Sequence, residues 1–260
     1  MQKQSRACCT RPPVVLRGGY NYDPTGTHVT HNGLRTYETG PKDAKRGIVL
    51  IYDVFGEFIQ TIRGADILAT GYPAIPDTAG EFKVFMPDWF GDSPADLAAY
   101  PPKTPAQFKY IQEFMGGPAD PSRTLPLILP LLSTLKASNP SIQSWAILGF
   151  CWGGKLAVLL SGEGSEFKAS AQTHPSLLDI KDAREARIPH CVLPSMEEVP
   201  EVVDPWVEAL LKASPKSYSE LFEDQVHGWM SSRADFDNLR KFEEYLRGYR
   251  IVRSFFNEHL

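Results

Sequence analysis

An α/β fold, with a mostly parallel central sheet, helices on both faces and an antiparallel hairpin at its start, is predicted by three features of this 260-residue sequence. From Ile48 onward, strand-sized apolar runs alternate with helical segments, which requires crossover connections and hence parallel pairing. Before that point, Thr27 to Glu38 alternates around Asn32-Gly33, a dipeptide that specifies a tight hairpin turn. The third feature is the apolar run Ser144 to Gly149, which passes through Phe150-Cys151-Trp152-Gly153-Gly154 into the helix-like Lys155-Leu156-Ala157-Val158-Leu159-Leu160.

Taken in order, residues 1–26 are expected to form an extended N-terminal arm, because residues 10–26 are rich in Pro, Gly and Tyr. After the hairpin, strands are expected at Ile48 to Asp53, Lys83 to Pro87, Trp145 to Phe150, Ala169 to Thr173, His190 to Pro194 and Tyr218 to Phe222. Helices are expected near Ile59 to Thr70, Pro105 to Met115, Thr124 to Ala137, Gly154 to Ser161, Pro205 to Ala213 and Phe236 to Phe256. At 42% hydrophobic content the chain can bury a full core, and 1–260 is read as one domain. In such a sheet the ligand site lies beyond the C-terminal ends of the parallel strands.

Composition excludes several classes of function. The net charge is −4, from 27 basic and 31 acidic residues, and no cluster of Lys and Arg interleaved with aromatics marks a nucleic-acid surface. The longest apolar stretches, Gly47 to Ile51 and Ala146 to Phe150, fall far short of the ~20 residues a membrane span needs. Met1 to Arg6 leads into no apolar segment, so a soluble cytoplasmic protein is expected, with no nucleic-acid or membrane partner and an oligomeric state open between monomer and homodimer. Four cysteines are too few for a disulfide scaffold, and no C-x-x-C or H-E-x-x-H spacing calls for a metal. Adjacent Cys8 and Cys9 are expected as reduced thiols near the chain end, and Cys191 as a core residue.

Gly149-Phe150-Cys151-Trp152-Gly153-Gly154 has the form of a nucleophile elbow. A sharp strand-to-helix turn forces strained dihedrals on its central residue and brings backbone so close that only Gly fits beside it. The Cys151 thiol would project from the sheet edge, where a helix N-terminus favours thiolate. A thiol nucleophile needs a base, and the base needs an orienting acid. Of the six histidines, His227 alone falls between the last strand and the last helix, which nominates it as general base. The acid is expected after the strand ending near Pro194, where Glu198 is the choice and Glu197 the alternative, the unused neighbour facing water. Backbone N–H groups of Val54 and Trp152 are nominated for an oxyanion hole. Asp53, at the tip of the first parallel strand, reads either as a helix cap or as a modulator of the thiol.

Gly149 to Gly154, His174-Pro175-Ser176 and His227-Gly228 together resemble the dienelactone hydrolase family, and Cys8-Cys9 with Gly33-Leu34-Arg35-Thr36-Tyr37 resembles its fungal, carboxymethylenebutenolidase-like branch. The resemblance spans nearly the whole chain. It implies the α/β-hydrolase fold, a Cys-His-acid triad on Cys151 and His227, no cofactor, and hydrolysis of a small ester or lactone. It also implies that Met86 to Gly91, including Trp89, borders the pocket and that His174 lines it; Phe55 and Trp229 are nominated beside Asp53, Trp89 and His174 as modulating or substrate-binding groups. Three positions depart from the family pattern: Asp53 stands where a Glu is usual, the Glu197-Glu198 pair replaces an Asp, and Arg233 lies six residues after His227 instead of closely following it.

The leading expectation is a cysteine-dependent hydrolase of a small ester or lactone. Two alternatives stay open: the same pocket used for lactonisation, C–C cleavage or decarboxylation in secondary metabolism, or a non-catalytic ligand-binding protein on the same fold.

Overall fold

A computed structural model describes residues 6–9, 11–16, 22–72 and 80–260. The hairpin forms as expected: β1 (Thr27–His31) and β2 (Leu34–Thr39) pair antiparallel, with Asn32 and Gly33 at φ 49° and 78° in the left-handed region that a two-residue hairpin turn requires. β2 then pairs antiparallel with β4 (Lys83–Pro87). From there the sheet is parallel, through β3 (Arg46–Ile51), β5 (Ser144–Phe150), β6 (Ala169–Thr173), β7 (His190–Leu193) and the two-residue β8 (Tyr218–Ser219). The strand order is β1-β2-β4-β3-β5-β6-β7-β8.

Burial runs unbroken along β6 and spares only the first residue of β3 and of β5, without the alternation of a half-exposed sheet. Both faces of the sheet are therefore covered. One group of covering helices is α1 (Ile59–Thr70) against α7 (Leu239–His259). The other is the contact series α3 (Pro121–Ser138), α4 (Trp152–Leu159), α5 (Ile180–Glu185) and α6 (Pro200–Ala213). α2 (Pro105–Met115) starts at a capping box between Thr104 and Gln107.

Where helix boundaries differ from expectation, caps and prolines explain it. α3 starts at Pro121 because the Asp120 side chain accepts from Ser122 N–H and Pro is at home in a first turn. α6 starts at Pro200 and carries Pro205 inside it, so Pro205 is no boundary. α7 begins at Leu239, where Asn238 caps by accepting from Lys241 N–H. α5 was not foreseen; it is six residues long, capped by Asp179 and tied to α4 by a Lys155–Asp182 ion pair. β8 stops at Ser219, and Phe222 joins the sheet only through a bridge to Ser195. The expected extended arm 1–26 is corrected in part: Arg6–Cys9 is a 3-10 turn with Ala7 and Cys8 buried, while residues 1–5, 10 and 17–21 lie outside the described residues. No described helix is long and apolar enough to cross a membrane.

Candidate active site

At the C-terminal end of β5 the chain turns so sharply that Cys151 adopts φ 52° and ψ −109° before α4 begins at Trp152. Such dihedrals are strained for a residue with a side chain, so the surroundings must enforce them. A Cβ on Gly149 would meet the Gly153 carbonyl oxygen at 2.0 Å, and one on Gly153 would meet the Ile51 carbonyl oxygen at 2.3 Å. Glycine is thus a packing requirement of the turn. The Cys151 N–H donates to the Thr173 carbonyl at 3.2 Å, and the residue is 2% exposed.

His227 sits in the loop between β8 and α7, 1% exposed. Its Nδ1 lies 2.6 Å from Glu198 Oε1, and Glu198 is fixed in turn by the N–H and hydroxyl of Ser195 just past β7. Nδ1 being taken, Nε2 is the nitrogen left for other partners. Burial opposes a charge on His227, but the Glu198 carboxylate and the adjacent Cys8 thiol outweigh it and push the imidazole up to about 9. Glu197 does not face water as expected: its carboxylate accepts from the His227 N–H at 3.0 Å and from Arg11 Nε at 2.9 Å.

The raised His227 value carries a stability consequence. A folded-state pKa above the unfolded one contributes stability that is fully present below the ordinary imidazole value of 6.5 and is lost as pH rises through about 9. The urea midpoint is therefore expected to fall across that window, and His227→Gln should flatten the fall. Denaturation at several pH values checks both.

The other nominated residues divide. Val54 is buried at the end of β3, and Trp152 opens α4; neither N–H donates to a partner among the described residues. Ala95 N–H donates to the Val54 carbonyl at 2.9 Å, which seats the loop after β4 beside it. His174 is fully buried, stacked on Phe150 and edge-on to His227 with ring centroids 5.1 Å apart. Burial, then the charges of His227 and Arg233, hold it well below the usual imidazole range. Phe55 packs edge-on against Tyr100 at 4.9 Å, under the Arg233 guanidinium. Trp89 is half-buried, and its buried Nε1 finds no partner among the described residues.

The helix-cap reading of Asp53 is corrected, and the structure gives Asp53 and Trp229 the following partners. Asp53 neither caps α1, where Phe58 holds the cap position, nor bonds the thiol; its carboxylate accepts from Phe55 N–H at 2.9 Å and from the Ser231 and Ser232 hydroxyls at 2.6 Å each. It ties the end of β3 to the loop that carries His227. Trp229 is packed in the core: its ring stacks on Phe222 at 4.1 Å and fills the space above Gly248 of α7.

Four further side chains complete the site, none of them nominated for it from the sequence. Cys8 Sγ lies 3.4 Å from Cys151 Sγ, so the N-terminal turn covers the elbow. Arg233 holds that turn, donating to the carbonyls of Ala7, Cys8 and Arg11 and to that of His227. Tyr100 lies close enough that burial and then Cys8, Cys9 and Cys151 raise its phenol, and its hydroxyl has no partner among the described residues. Ser231 Oγ stands 3.4 Å from His174 Nε2 as well as bonding Asp53. The vicinal Cys8-Cys9 pair was a visible signal for the first of these, and Arg233 was noted only as an Arg displaced from the family's position after the His; Tyr100 and Ser231 carry no signal.

Cys8, Cys151 and His227 present ligand atoms all within 4.8 Å of one another, a soft set that could hold a metal ion and that no local spacing could reveal. An apolar hollow of about 380 Å³ between α6 and β8 touches only Glu198 among these groups, so it is not the space in front of the thiol.

Residues 34–260 match the model of the dienelactone hydrolase family. An uncharacterised AIM2-family protein of Schizosaccharomyces pombe is 31% identical over 254 residues, covering 96% of this chain and 98% of its own length. The human carboxymethylenebutenolidase homolog is 26% identical over 235 residues, 86% of each chain. Among solved structures, the dienelactone hydrolase of Anabaena variabilis superposes with a TM-score of 0.61 at 12% identity, over 90% of this chain and 97% of that one, a likeness of fold. With an eight-stranded mixed sheet, a strand-turn-helix elbow and a family match over most of its length, this chain has the α/β-hydrolase fold and belongs to the dienelactone hydrolase family of ester hydrolases.

Proposed function

We propose that this protein is a cysteine-dependent hydrolase of a small ester or lactone, with Cys151 as nucleophile, His227 as proton carrier and Glu198 as the acid that orients it. The observation that carries the reading is the 2.6 Å contact between Glu198 and His227 Nδ1, which leaves Nε2 without a partner among the described residues while a His227 nitrogen lies within 4.8 Å of the Cys8 and Cys151 sulfurs. Cys151 attacks the acyl carbon as thiolate with imidazolium as its counter-charge, and the Val54 and Trp152 N–H groups receive the oxyanion. His227 then protonates the departing alkoxide. Water, deprotonated by His227 in the second half, releases the acid and restores the thiol.

Glu197 has its own part: it grips the His227 backbone, so it positions the loop without touching the imidazole nitrogens. Glu198→Gln is expected to lower kcat for an activated ester at least about tenfold, because the amide NH2 can donate to His227 Nδ1 and so hold the imidazole in the wrong tautomer. Glu197→Gln is expected to cost less, since it leaves the imidazole pair intact. Steady-state kinetics on both variants test the assignment; indifference to Glu198→Gln would remove the acid from the mechanism.

A further inference from the structure

We propose that Cys8 and Cys151 form a peroxide-responsive thiol pair, in which Cys151 is oxidised by a hydroperoxide and Cys8 resolves it to an intramolecular disulfide. The proposal uses the Cys151 thiol of the hydrolytic site, but not its ester chemistry. It rests on geometry: both thiols are free, both are buried, and their sulfurs are 3.4 Å apart although 143 residues separate them in the chain. A hydrolase mechanism has no use for a second thiol at that place.

The turn that delivers Cys8 is held by design of the site and not by chance contact. Arg233, 3% exposed, donates to the Ala7, Cys8 and Arg11 carbonyls on one side and the His227 carbonyl on the other, and Val14 N–H donates to the Ser232 carbonyl at 2.9 Å. Hydrogen bonds from a charged donor are stronger than neutral ones, so several of them keep the two thiols together. Cys8 is 7% and Cys151 2% exposed, so any opening of this turn exposes both thiols to small oxidants at once. His227 stands beside both sulfurs as a proton store.

The chemistry balances with one equivalent of hydroperoxide. The Cys151 sulfur attacks the terminal peroxide oxygen; an S–O bond forms, the O–O bond breaks, and the alcohol, or water from hydrogen peroxide, leaves with the thiol proton. Cys8 then gives its proton to His227 and attacks the sulfenic sulfur; the S–S bond forms, the S–O bond breaks, and hydroxide leaves as water with that proton. Two thiols are oxidised and one peroxide is reduced. A dithiol reductant reverses the product to two thiols. Without a resolving thiol, sulfenic acid would go on to the irreversible sulfinic form.

Full-length protein treated with hydrogen peroxide, then alkylated and analysed by peptide mass spectrometry, tests this without any substrate. The expected result is loss of two hydrogens per chain, a cross-linked peptide joining Cys8 to Cys151, and complete return of both thiols with dithiothreitol. Cys8→Ser should instead accumulate Cys151 sulfinic acid that dithiothreitol does not reverse. Cys9→Ser should keep the Cys8–Cys151 link, and serves if Cys8→Ser does not fold. A Cys8–Cys9 disulfide, direct sulfinic acid at Cys151 in the parent chain, or survival of both thiols would each overturn the proposal, whether or not the protein turns over esters.

Discussion

Cys151→Ala is expected to lower ester turnover roughly 10⁶-fold, the loss seen when the nucleophile of a cooperating catalytic unit is removed. The fold should survive, because the elbow is imposed by Gly149 and Gly153 packing on neighbouring backbone and not by the sulfur. Cys191→Ala supplies the contrast. Cys191 is fully buried in β7 and burial holds its thiol protonated, so its loss should leave most activity in place. Hydrolysis of p-nitrophenyl acetate, with a melting curve as the control for folding, compares the two variants. Full activity in Cys151→Ala would end the cysteine mechanism.

His227→Ala should cost roughly 10³- to 10⁶-fold in kcat, as for other members of such a unit. The size of the loss follows from what replaces it: with the imidazole gone, Glu198 keeps its bonds to Ser195 but no group is left to carry a proton between thiol, alkoxide and water. Among the described residues, His174 is the one other imidazole packed against His227; burial holds it neutral, between Phe150 and His227. A loss below about tenfold would shift the base to His174.

What the sequence made readable was what is local. The elbow could be recognised because its glycines flank one thiol in a six-residue run between a strand and a helix, although the backbone that excludes a Cβ at Gly153 is Ile51 of a neighbouring strand. The hairpin could be recognised because Asn32-Gly33 suits a left-handed turn on its own. Helix starts were missed where a cap or an internal proline decided them, as at Asp120 and Pro205. Side chains gathered from distant segments were not readable at all. Cys8 reaches Cys151 across 143 residues, and Arg233 reaches back 225 to the Cys8 carbonyl; no periodicity encodes either. Asp53 was singled out for good reason, as a buried carboxylate at a strand tip, yet its partners are two serines that carry no motif. The stacking of Trp229 on Phe222, in the segment after β8, likewise joins residues that no local pattern pairs.

The most direct measurement of the central claim is a pre-steady-state reaction with an activated ester, quenched in acid and followed by mass spectrometry of the intact chain and its peptides. The account predicts a rapid burst equal to one acyl group per chain, carried as a thioester on Cys151, which disappears at the steady-state rate as free thiol returns. Turnover with no acyl group on Cys151, or an acyl group there that never leaves, would contradict it.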